Sequence, residues 1–124
     1  MTKDKHVLFA AWSDERAQAD SARRLGDFAS EWHHLERAHI LSQPMAMPHV
    51  RTHIAMISFG LRRHDRREVV GQLLRIVVAG PGSLTGRYPV GNTGGANVSA
   101  FLPMPVPEDL LSFLPDSQAL EASR

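Results

Sequence analysis

Between His6 and Ala79 apolar residues recur three and four positions apart, the spacing of a helix face, and proline interrupts only at Pro44 and Pro48. From Gly80 to Pro107 that pattern stops. The segment holds six glycines and five prolines, more than half of each in the chain, and is expected to be irregular rather than helical.

The front two thirds predict four helices. The first, rich in alanine, runs to about Leu25 and ends at Gly26, a residue suited to the positive φ of a helix terminus. Asp27 caps the second, where Phe28, Trp32, Leu35 and His39 form one narrow stripe. Gln43 to Met47 makes the next turn, with Pro48 as the first residue of the third helix. In that helix Val50, Ile54, Ile57 and Leu61 make the expected core face, with His49, His53, Met56 and Gly60 beside it and Arg51, Thr52 and Ala55 opposite. Asp65 caps a fourth helix that carries Val69, Val70, Leu73, Leu74, Ile76 and Val77 and is expected to close at Gly80-Pro81.

Leu25-Gly26-Asp27 with Leu35-Glu36-Arg37 aligns faintly with His64-Asp65 and Leu73-Leu74-Arg75, as in paired helix hairpins of the tetratricopeptide kind. The expected fold is therefore all-α: a small antiparallel array of about four helices, as two hairpins, wrapped by the Gly/Pro-rich segment from about residue 80. Val98, Phe101, Leu102, Met104 and Val106 are apolar enough to dock that wrap, and a short helix follows Pro107 as far as Leu114. Residues 1–114 are read as one domain and 115–124 as a disordered tail.

Composition narrows the chemistry. The 124 residues include seven histidines and no cysteine, which excludes disulfides, iron–sulfur clusters, thiolate zinc fingers and thiol nucleophiles. Any metal must be held by imidazole, carboxylate or thioether. A net charge of +1 argues against a nucleic-acid partner, even though Arg62-Arg63-His64-Asp65-Arg66-Arg67 makes one basic cluster. The short apolar run from Val7 to Trp12 suits neither a leader peptide nor membrane insertion, so a cytoplasmic protein is expected.

Glu36-x-x-His39 near the end of the second helix faces His49-x-x-x-His53 at the start of the third. Residues four apart on a helix share a face, and an antiparallel hairpin brings His39 level with that pair. Three imidazoles with Glu36 as fourth ligand or outer carboxylate suit zinc, copper, nickel or iron. Gln43, Asn92, Thr93 and Asn97 are candidate pocket-wall residues. His6, His33, His34 and His64 are read as solvent-facing. Gly91 to Asn97 is neither a P-loop nor a dinucleotide fingerprint, since no helix pattern follows it. No serine has nucleophile-elbow context, so catalysis would have to be metal-dependent.

Leu35-Glu36-Arg37-Ala38-His39, Pro48-His49-Val50-Arg51 with His53, Gly71-Gln72-Leu73-Leu74-Arg75 and the run Pro89 to Phe101, PVGNTGGANVSAF, resemble a family of short bacterial proteins of unknown function. The resemblance covers about Ala22 to Leu111. It implies that His39, His49 and His53 are the motif histidines and that Met45, Met47 and His64 are not. It also implies a setting in metal resistance or transport, and it brings no established activity. The expected function is transition-metal binding in bacterial metal homeostasis or tolerance. The alternatives are a metal-independent helical-hairpin adaptor for a protein partner, and a metal-dependent hydrolase or oxygenase.

Overall fold

The computed structural model describes residues 3–86, 88–99 and 102–115, and among them every regular element is helical. The order is α1 (Lys3–Arg24), α2 (Phe28–Ser42), α3 (Ala46–Arg62), α4 (Arg66–Thr85) and the single turn α5 (Glu108–Leu111). The expected tail falls almost wholly in 116–124, outside the described residues, as does Phe101.

The punctuation of the chain works locally. Gly26 takes a φ of +71° after α1, and the Asp27 carboxylate accepts from the Ser30 amide at 3.1 Å to cap α2. Asp65 caps α4 in the same way through the Glu68 amide at 3.0 Å. Three boundaries differ from expectation, the simplest being α5, which stops at Leu111 rather than Leu114. The third helix begins at Ala46, so Pro48 lies within its first turn, where a missing N–H leaves no intrahelical bond unmade. The fourth helix does not close at Gly80-Pro81 but runs through it to Thr85, and stops at Gly86 with φ +73°. Once a helix is propagating, tertiary packing outweighs the local cost of one proline.

Each long helix packs on the next, α1 on α2, α2 on α3 and α3 on α4. Leu8 and Trp12 of α1, Ala38, Ile40 and Leu41 of α2, Val90 and Val106 of the wrap, Leu110 and Leu114 form one buried cluster. Ala19, Leu35 and Met56 form a second, with Trp32 and Phe59 against it. Of the wrap residues expected to dock, Val106 is buried and Val98 and Met104 are half-buried, whereas Leu102 is exposed. Arg37 ties three segments together by bonding Glu15 of α1 and Asp109 of α5. The Trp12 indole reaches across to α3 and donates to Thr52 at 2.9 Å.

The faces of α3 and α4 are rotated from expectation, with Val50, Ile57, Val69 and Ile76 only half-buried. In α3, Ile54 and Leu61 are exposed, whereas His49, Thr52, His53 and Met56 are buried. In α4, Val70, Leu73, Leu74 and Val77 are exposed, whereas Glu68, Gln72 and Ser83 are buried. Phe28 at the head of the α2 stripe is likewise exposed and takes the Arg63 guanidinium 4.3 Å above its ring. Helices α3 and α4 thus turn His49, Thr52, His53, Glu68, Gln72 and Ser83 inward, while Arg51, Arg62, Arg63, Arg66 and Arg67 remain exposed.

Candidate metal centre

The inward polar groups surround three histidines. His39 sits in the last turn of α2, and His49 and His53 stand one turn apart at the start of α3. Helical periodicity aims all three rings into the gap between the two helices. The Nε2 atom of His39 lies 3.1 Å from that of His49 and 3.2 Å from that of His53. All three side chains are buried, and together they could hold a metal ion.

The outer nitrogens are each engaged, and their partners fix the protons. The Nδ1 of His39 is 2.5 Å from the Asn92 carbonyl oxygen, which only accepts, so that nitrogen donates. Beside His49, the Ser83 hydroxyl gives its hydrogen to the Gln43 carbonyl at 2.5 Å, leaving Oγ to accept from Nδ1 at 2.7 Å. The Gln72 amide nitrogen donates to the Glu68 carboxylate and the Gly94 carbonyl, both at 2.6 Å, which turns its oxygen to accept from the Nδ1 of His53. Every imidazole thus carries its hydrogen on Nδ1. In the neutral rings the three Nε2 lone pairs are turned toward one another.

Protonation is a poor remedy for that crowding. Burial, then the neighbouring His53 and His49, hold the His39 imidazole well below its ordinary range, the Asn92 carbonyl opposing them weakly. Burial likewise pushes His53 down to about 4, with Gln72 acting in the other direction. The cluster could instead hold a metal ion, its ligand atoms all lying within 4.8 Å of one another; a tetrahedral ion with metal–nitrogen bonds of about 2.0 Å needs nitrogen–nitrogen edges of roughly 3.3 Å. The two edges at His39 are 3.1 and 3.2 Å.

The Gly-Asn loop closes over this cluster. Gly94 takes a φ of +86°, and a Cβ there would stand 2.5 Å from Cδ2 and 2.9 Å from Nε2 of His39, so only glycine lets the backbone approach the ring. Asn92 pins the loop internally: its amide nitrogen donates to the carbonyls of Ser99 and Leu102, and its oxygen accepts from the Gly94 amide. From α4, Arg75 donates to the carbonyls of Gly94, Gly95 and Val98. From the end of α2, the buried Gln43 donates to the Pro89 carbonyl and accepts from the Gly91 amide.

Among the expected residues, the histidine trio converges. Glu36 is half-buried and its carboxyl pKa is raised by that burial, while a hydrogen bond from Thr93 acts the other way. Gln43 and Asn92 hold the loop, Thr93 stands beside Glu36, and Asn97 is exposed at the edge of a cleft lined by Trp32 and Phe59. His34 is not simply solvated, because its Nδ1 lies 2.7 Å from the Glu15 carboxylate. Sequence reasoning missed Ser83 and gave Gln72 and Arg75 no role at the site, although both lie in the Gly71–Arg75 segment of the family resemblance. The signal was present as isolated polar positions on one side of an otherwise apolar helix.

A family model described as "Protein of unknown function (DUF3703)" matches residues 7–114, a span that includes both histidine segments and the Gly-Asn loop. The chain belongs to this family. No curated protein and no solved structure matches it.

Proposed function

We propose that this protein binds one transition-metal ion through the Nε2 atoms of His39, His49 and His53, as part of bacterial metal homeostasis or tolerance. One observation carries the reading: all three outer nitrogens are committed as donors, so three buried lone pairs converge. Burying such groups is costly unless something positive sits between them. The all-nitrogen donor set suits zinc, copper, nickel or iron. Glu36, one helical turn before His39, supplies an outer carboxylate that offsets the ion's charge, and the loop from Gly91 to Asn97 shields the site. Two helix hairpins meeting at α2 and α3 are the architecture assumed for this role.

The test is elemental analysis of untagged protein, reconstituted with each candidate metal and then dialysed. One equivalent of metal is expected in the parent chain, with loss in a His49→Ala/His53→Ala double variant. A parent that retains none, or a double variant that retains as much, overturns the assignment.

A further inference from the structure

We propose that the outward face of α4 is a homodimer interface, on which a second copy of this chain packs its own α4. Val70, Leu73, Leu74, Val77 and Leu84 recur at the three-and-four spacing of a helix seam, and each is between 55% and 80% exposed. Leu61 of α3, 60% exposed, extends the patch beside Val70, where the two helices leave a groove floored by Gly60 and Val69. The argument does not depend on the metal reading, because these side chains point away from the histidines.

Three features choose the occupant. The first is area: the six side chains leave roughly 700 Å² of mostly apolar surface in water, close to the ~800 Å² that each partner gives to a stable interface. Contiguous apolar patches above a few hundred Å² are uncommon on monomers and mark interaction sites. The second is charge. Between Glu68 and Thr85 the only charged residue of α4 is Arg75, and it is turned inward to the carbonyls of Gly94, Gly95 and Val98. From Val70 to Leu84 an acidic or basic partner would find no outward charge to recognise; charged and polar groups enter only at the Leu61 end, where His64, Asp65 and Arg66 also line the groove. The third is self-complementarity: a helix stripe of Leu and Val can interdigitate with its own copy across a two-fold axis, residue against residue.

The consequence reaches the interior. Gln72 and Ser83, which hold the Nδ1 atoms of His53 and His49, lie on the opposite side of the same helix. Pairing through α4 would brace the helix that orients two of the three imidazoles.

The test uses the full chain in two arms. Sedimentation equilibrium across a dilution series is expected to give a dimer for the parent and a monomer for a Leu73→Glu/Val77→Glu variant with unchanged helical circular dichroism. Because the chain has no cysteine, single substitutions report proximity without background: Leu73→Cys is expected to form an intermolecular disulfide on mild oxidation, and Asp14→Cys, exposed on α1, is not. A parent that is monomeric at every concentration overturns the proposal. So does a dimer that survives the double glutamate change, or cross-linking at Asp14→Cys in place of Leu73→Cys. Metal content measured on the same samples separates the two readings, since failure of the dimer leaves the histidine site testable in a monomer.

Discussion

Gly94 shows how much a single missing side chain does for this site. A methyl group there would overlap the His39 ring, and the residue's φ of +86° strains any L side chain. A Gly94→Ala variant is expected to lose about 1–3 kcal/mol of stability and to bind metal more weakly, measured by thermal melting and by metal retained after dialysis. Unchanged retention would mean that the loop merely lies near the cluster. Gln72 is the second residue to test, because it couples His53 to Glu68 and to the loop. Partners of metal-bound histidines typically contribute 10–100-fold in affinity, so Gln72→Leu is expected to weaken competition against a chelator by about that factor while leaving the helices intact. Both residues could be noticed in the sequence as a glycine in a loop and a glutamine among leucines, yet neither announces which histidine it serves.

At the scale of elements, capping was the most legible feature. Asp27 and Asp65 cap α2 and α4 as read, since an aspartate ahead of an apolar run uses only neighbouring backbone amides. Replacing Asp65 by Ala is expected to cost about 1 kcal/mol, seen as a lower Tm, with the added effect of loosening the Glu68 turn that holds Gln72. A variant with an unchanged Tm would show that α4 is held by packing alone. Orientation of the helices was far less legible. Periodicity identifies an apolar stripe and a polar stripe but not which one faces the neighbour. For α3 and α4 the ordinary assumption that apolar faces point inward fails, because the polar stripe has a cluster of imidazoles and a loop of backbone carbonyls to satisfy.

Across the whole molecule the buried histidines set the dependence on acid. The unfolded chain takes up a proton at His53 near the ordinary 6.5, whereas the folded chain does so only near 4. Between those values the unfolded state therefore binds more protons, so the contribution is fully present above pH 6.5 and is lost as pH falls toward 4. His39 shifts in the same direction. The metal-free protein is expected to melt at progressively lower temperature from pH 6.5 to pH 4, and His53→Gln is expected to flatten that decline. A bound ion adds RT ln(1 + [L]/Kd) to stability, so adding the preferred metal at pH 7 should raise Tm, and a chelator should reverse the gain.

The sequence by itself determined the helical class, most helix ends, the exclusion of thiol chemistry and the three histidines, because each of these depends on residue type and on spacing within about a dozen positions. Resemblance to a family without an assigned activity added the Gly-Asn loop as a marked segment but not its purpose. The tertiary structure decided what the loop covers, which nitrogens carry the protons, and that α4 presents leucines to water. Those depend on contacts between segments as far apart as His39 and Asn92, where no local pattern reports the partner and the direction of a side chain is settled only when every buried polar group has found one.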